Sequence, residues 1–331
     1  MPDYFVDRLV RFGSLDSLIT EMRKKSSESG GGSVRGIKQT EVKGGNAVNL
    51  AYALGIFSGS VHLTAIANSL PAETLKITFS KLKNVSLEVC TGVAGYTTAF
   101  EFREKDHHVN VMVSDVGDLS TFDGSKLSKI SLDSIARSKI VAIVNWSGNR
   151  KGNDLCKRVF SLAKRKGAKT FFDPADISGQ KDLLPSLKKN ILDRGLIDYI
   201  SLNENEARIM SKEMFNHNLS MDYSKSELSN TAKILADGTG ATIDLHTRTF
   251  TISATASNVE SCSCHKVEQR TVTGAGDVWG AANIACYLAD FKPDDRLYFA
   301  NSAAGLYVSR ESAATPSLKE VFEFMKNRPL H

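Results

Sequence analysis

An α/β fold, with a mostly parallel sheet covered by helices and a small β lid, is what this sequence predicts. Three observations carry that expectation. From residue 139 onward, short apolar runs alternate with amphipathic helical segments. Near residues 94–115 the pattern changes to strict alternation. No Pro- or Ser-rich linker divides the chain, so one domain is expected over 1–331.

The elements follow in order. "SLITEMRKKSSES" reads as a helix that dissolves into "SGGGS", where three glycines at 30–32 mark a turn or hinge. A second glycine pair, Gly44-Gly45, opens "KGGNAVNLAYALGIF", with Ala47, Leu50, Ala51 and Leu54 at helical spacing. In "AGYTTAFEFREKDHHVNVMVSD", Tyr96, Thr98, Phe100 and Phe102, then Val109, Val111 and Val113, alternate around a polar "EKDHH". That is a β-hairpin by period and turn composition. The lid is expected from about 30–43 and 94–115. "KIVAIV", "AKTFFD" and "IDYISL" read as buried parallel strands, with Leu155, Val159 and Leu162 on one face of the helix after the first. "ATIDLHTRTFTIS" suggests two strands around a turn. The last third is helical, and nearly uncharged over 275–290.

Composition narrows the function. A net charge of +5, from 42 basic and 37 acidic residues, does not argue for nucleic acid. No apolar run approaches the ~18 residues of a membrane span, and "MPDYFVDRLVRF" does not read as a signal peptide. Five scattered cysteines fit a reducing cytoplasm. "CSCH" at 262–265 lacks the usual spacing of a zinc site and reads as ordinary strand or loop.

The chemistry gathers at the two glycine turns. In "TVTGAGDVWGAANIACY", Gly274, Ala275 and Gly276 leave backbone N–H groups open at a helix start, an anion hole. Asp277 stands at its edge. A carboxylate there would repel a phosphate unless it takes a proton from a hydroxyl as that oxygen attacks phosphorus. In the early turn, Asn46 and Asn49 lie three apart on one helical face. They suit a polyhydroxylated ligand, and equally suit capping the helix. The sequence has no G-x-x-x-x-G-K-[ST] and no early G-x-G-x-x-G.

These motifs together resemble the PfkB (ribokinase-like) sugar and nucleoside kinases. "TVTGAGDVWGAA" is similar to their C-terminal signature, "GGNAVNLA" to their N-terminal one, and "NENE" at 203–206 to the N-x-x-E motif between them. Order and separation match over nearly the whole chain. The resemblance implies a ribokinase-like fold and transfer of a nucleotide's terminal phosphoryl group to a hydroxyl. It implies Asp277 as catalytic base and Gly274 to Gly276 as anion hole. Gly45, Asn46 and Asn49 would contact the sugar. Asn203 and Glu206 would organise Mg²⁺ and phosphate, through water or phosphate oxygens. Asn301 would lie beside the nucleotide base. "LHTRTF", with His246, Thr247 and Arg248, is the nearest match to the family's Thr-x-Gly turn before the phosphate loop, and Arg248 there suits nucleotide phosphates and equally a solvated hairpin. The family's acidic sugar ligand falls on Asp7, which ends a short apolar run, or on Asp16, which follows a Gly-Ser pair.

Departures leave other points open. Thr271 stands where the signature commonly has Asp, so a monovalent-cation site is uncertain. Asn283 replaces an apolar residue, and "ESAATP" near 311–316 replaces a Gly-Ala turn. The donor is ATP or ADP. A nucleoside acceptor would need an aromatic wall, from Tyr96, Phe100, Phe102 or Trp146. A non-catalytic sugar- or nucleotide-binding relative would show decay of the base or of the anion hole, and both are present. The lid's edges make a homodimer reasonable.

Overall fold

The computed structural model describes residues 1–104, 107–312 and 314–327. The tip of the expected hairpin, 105–106, and Ala313 of "ESAATP" lie outside the described residues. In chain order the first elements are β1 (Phe5–Arg11), α1 (Leu15–Ser26), β2 (Gln39–Gly44), α2 (Asn46–Ile56), β3 (Val61–Ala67), α3 (Ser69–Phe79) and β4 (Val85–Thr91). Then come β5 (Gly95–Glu104), β6 (His107–Asp115), α4 (Lys129–Arg137), β7 (Ile140–Val144), α5 (Gly152–Arg165), β8 (Lys169–Asp173), α6 (Leu184–Leu187) and β9 (Tyr199–Asn203). The rest are α7 (Glu204–Phe215), α8 (Lys225–Thr239), β10 (Thr242–His246), β11 (Phe250–Ala254), β12 (Val259–Ser263), α9 (Ala275–Leu288), α10 (Pro293–Val308) and α11 (Leu318–Asn327).

A six-stranded sheet in the order β12-β11-β10-β9-β8-β7 forms the centre. β7 to β10 are parallel, and β11 and β12 add an antiparallel edge. β3 and β4 form a separate parallel pair. The parallel strands are short apolar runs because both faces are covered. Phe171 and Phe172 show it. Adjacent residues of a strand point to opposite faces, and both rings are fully buried. Phe171 belongs to the apolar cluster that includes Val48, Leu75 and Trp279, and Phe172 to the one that includes Phe160, Leu187 and Ile200. α5 turns Leu155, Cys156, Val159 and Phe160 inward, as its apolar stripe requires.

The second sheet has four strands, β2-β1-β5-β6. Residues 39–44, 95–104 and 107–115, which fall in or overlap the segments expected as a lid, supply three of its strands, while 31–38 form no strand. β1 is the unexpected member. It runs seven residues through Asp7 rather than ending there, pairing antiparallel with β2 and parallel with β5. Its partners are remote in sequence, so local periodicity could not place it. "CSCH" puts Cys262 and Ser263 in β12 and Cys264 and His265 in a loop, where the Cys264 thiol donates to Thr247 O at 3.6 Å.

Candidate active site

β8, β9 and β10 end at Asp173, Asn203 and His246. Carboxyl ends of parallel strands are where open α/β sheets bind ligands. The starts of α2 and α9 meet beside them. A cavity of about 600 Å³ opens there, lined by Asn46, Asp173, Asn203, Glu206, His246, Arg248, Gly274, Ala275, Gly276, Asp277 and Asn301 among others. That volume lies in the range of small-molecule sites.

The two glycine turns touch. Asn46 Nδ2 donates to Asp277 Oδ1 at 2.9 Å, and Asn49 Nδ2 donates to Asp277 Oδ2 at 3.0 Å. Neither amide side chain caps its own helix. The cap comes from Asp3, whose carboxylate accepts from Asn46 N at 2.8 Å and Ala47 N at 3.0 Å, and from Asn145 Nδ2 at 3.0 Å. Gly45, at φ +91°, passes so close to the backbone of Asp3 and Tyr4 that a Cβ would lie 2.9 Å from Asp3 O. Only glycine fits that turn comfortably.

At the late turn, Gly274 has φ +87° and begins α9. Tyr307 Oη holds Thr273 O at 2.8 Å from behind. The Ala275 N–H turns back to Val272 O at 3.2 Å. The amides of Gly276 and Asp277 have no main-chain acceptor among the described residues. Of the expected three, only the Ala275 amide is thus engaged; the Gly274 amide, like those of Gly276 and Asp277, has no main-chain acceptor among the described residues. From the small sheet, Asn110 Nδ2 reaches Thr273 Oγ1 at 3.0 Å.

Burial pushes the Asp277 carboxyl well above the usual carboxylate range; Asn49 and Asn46 oppose this, while Asp173 and Asp3 add to it. Burial likewise raises Asp173 to about 6, and lifts Glu206 well above its usual value with Asp173 reinforcing it. Lys43 sits on the other side, its Nζ donating to Asn49 Oδ1 at 3.2 Å. Burial lowers its pKa, and Asp277 and Asp7 hold it up.

The remaining expected residues divide. Asp7 is buried, with Oδ1 unpartnered, and burial raises it to about 6. A Cβ on Gly44 would collide with its carboxyl. Asp16 is exposed in the first turn of α1 and does not line the cavity. β1 at ~3.3 Å per residue has by then carried the chain roughly 20 Å along. Asn203 and Glu206 reach the cavity but also cap α7 reciprocally, Asn203 N donating to Glu206 Oε2 at 2.8 Å and Asn203 Nδ2 to Oε1 at 2.7 Å. Burial pushes His246 down to about 4, so its ring is neutral at pH 7; it lies 4.9 Å from the Trp279 ring. Arg248 is exposed in the β10–β11 turn. Asn301 is committed at both ends, Oδ1 accepting from Trp279 Nε1 at 3.0 Å and Nδ2 donating to Thr251 Oγ1 at 3.0 Å. Of the aromatic candidates, Trp146 and Phe102 are core residues, while Tyr96 is 46% exposed.

A helix-covered α/β core with a small sheet beside a carboxylate-and-amide crevice defines a ribokinase-like kinase. Residues 12–320 match the family described as "pfkB family carbohydrate kinase", and the chain belongs to that family. The ribokinase of Thermotoga maritima is similar at 18% identity and TM-score 0.72, covering 98% of each chain. The Arabidopsis thaliana ribokinase, solved with ribose and ATP, is 16% identical with TM-score 0.72, over 98% of this chain and 96% of that one. The adenosine kinase of Sinorhizobium meliloti is 16% identical with TM-score 0.73, over 98% and 97%. No curated protein sequence matches the chain.

Proposed function

We propose that the protein transfers the terminal phosphoryl group of ATP or ADP to a hydroxyl of a sugar. The observation that carries this is the contact of Asn46 and Asn49 with Asp277 at the cavity mouth. In this reading it joins an acceptor-binding amide pair to a carboxylate beside the open amides of α9. In this reading Asp277 takes the acceptor's proton as that oxygen forms its bond to phosphorus and the bond to the bridging oxygen breaks. The Gly276 and Asp277 amides stabilise charge on the migrating group. The leaving nucleotide departs through the larger cavity.

Mg²⁺ fits the residues present. Asp173 and Glu206 offer hard oxygen donors, and their raised affinity for protons marks a place where positive charge is wanted. Among the described residues no group of three or more His, Cys, Asp or Glu makes a cage. This suits a cation held chiefly by phosphates, with Asn203 and Glu206 acting through water or phosphate oxygens. Bound there, Mg²⁺ would neutralise charge on the phosphates.

A sugar is favoured over a nucleoside because only Tyr96 among the large aromatic candidates is strongly exposed. It lines a second cavity of about 390 Å³ with Tyr4, Lys43 and Thr97. β6 forms the outer edge of the small sheet, with Val111 and Val113 exposed, which supports a homodimer through that sheet. The test is incubation with ATP, Mg²⁺ and a panel of sugars and nucleosides, following phosphorylated product and thermal stabilisation together. A phosphorylated sugar supports the reading. A phosphorylated nucleoside moves the acceptor class, and stabilisation without product makes the protein a binding relative.

A further inference from the structure

Lys43 ties the small sheet to α2. Val6 of β1 stands opposite Lys43 on β2 and opposite Tyr96 on β5. Directly opposed residues share one face of a sheet. Lys43 therefore emerges with Val6 and Tyr96 on the face that lines the cavity of about 390 Å³ beside that sheet. Its partly buried side chain crosses to α2. There Nζ lies 4.7 Å from the centre of the Tyr52 ring and donates to Asn49 Oδ1 at 3.2 Å. Asn49 and Tyr52 are three apart, hence neighbours on the helix surface. The other end of the same amide, Asn49 Nδ2, donates to Asp277 Oδ2 at 3.0 Å. An ammonium only donates and an ionised carboxylate only accepts. Between them the Asn49 amide has one orientation, oxygen toward Lys43 and nitrogen toward Asp277.

The surroundings of Asp277 give that orientation a purpose. Burial works against its ionised form, and the carboxyls of Asp173, at the end of β8, and Asp3, before β1, add to the effect. From α10 the Tyr307 phenol faces it, and the neutral His246 ring at the end of β10 lies against Gly276. Burial works against the charge on Lys43 too, and the attraction of Asp277, then of Asp7 on β1, holds it. Lys43 does not line the larger cavity, where Asp173 and Glu206 lie, so its charge is left to the base.

We propose that Lys43 is a positioning residue for the Asp277 base: it locks the Asn49 amide with its nitrogen toward the carboxylate and places a positive charge behind that amide. The inference rests on the kinase reading for its consequence in catalysis, whereas the contacts that carry it do not. In the reaction Lys43 keeps its proton, and the acceptor's proton passes to Asp277.

The test is a carbon-13 carboxyl NMR titration of the full chain without substrate, labelled at aspartate Cγ. The Asp277 signal is identified by its loss in Asp277→Asn. Lys43→Met removes both charge and donor, Lys43→Gln removes the charge alone, and Lys43→Arg keeps both. The Asp277 midpoint should rise by about 1–2 pH units in Lys43→Met. It should rise in Lys43→Gln and stay at the unaltered value in Lys43→Arg. The acid limb of kcat should move with the midpoint, at roughly tenfold in rate per unit, while the KM for ATP holds. An unchanged midpoint in either neutral variant overturns the proposal, as does an equal rise in Lys43→Arg. A higher acceptor KM with no movement of the midpoint also overturns it, making Lys43 a substrate ligand. Should Lys43→Met not fold, Lys43→Gln and Lys43→Arg decide. The titration needs no turnover, so a chain that phosphorylates nothing would end the kinase reading and leave this result readable.

Discussion

Asp277 is held by two amide donors yet buried near other carboxyl groups, and burial outweighs the amides. A protonated carboxyl cannot act as a base, so activity should rise with pH through a value above the usual carboxylate range near 4. A kcat–pH profile checks this; an acid limb centred near 4 contradicts it. Asp7 allows a second check. Its folded pKa is raised to about 6, so the folded state holds the proton more tightly than the unfolded one. That contribution is complete below the unfolded value and is lost as pH rises through about 6. Asp7→Asn should therefore stabilise the protein by roughly 2–3 kcal/mol at pH 8, the gain shrinking toward pH 4. Urea unfolding at both pH values measures it, and a pH-independent difference rejects it.

Two helix starts build the site, and their fixity rests on a polar knot behind α9. Arg296 of α10 donates to Asn283 Oδ1, to Asp244 Oδ1 at 3.0 Å and to Ser253 Oγ at 2.7 Å. Tyr287 Oη donates to Asp244 Oδ2 at 2.6 Å. This gives Asn283 its reason, since an apolar residue there would leave the guanidinium short of an acceptor. Arg296→Met leaves Asp244 buried and without its cation, and should cost about 3–5 kcal/mol. Denaturant unfolding tests it, and a loss under 1 kcal/mol would contradict the account. The same scale shows what the sequence makes legible. "TGAGD" before an uncharged helix, the alternation of 94–115 and the apolar runs ending at Asp173 and Asn203 carry local signals, and α9, β5–β6, β8 and β9 follow them. Asp3 carries no such signal: it is one acidic residue after a proline, and only remote contact makes it the cap of α2. Lys43 and Asp173 adjoin readable motifs, but their places in the site depend on how the two sheets meet. Asp16 matched by its neighbours in sequence and lies elsewhere because β1 runs on past Asp7.

Across the whole molecule, residues 228 and 231 positions apart converge on one carboxylate. The small sheet joins the convergence through Lys43 and through Asn110, which reaches the turn before α9. Movement of that sheet would therefore register at the turn before α9. Asp277 lines the larger cavity, and Lys43, which lines the crevice beside the small sheet, donates to Asn49, one of the two amides that hold Asp277; in the proposed reading an in-line transfer would join molecules bound on the two sides. The decisive measurement is the turnover of Asp277→Asn with the acceptor identified by the substrate panel. The account predicts a fall in kcat of about 10²–10⁴-fold, with donor and acceptor still stabilising the folded chain. A variant that turns over as fast as the unaltered protein would contradict it.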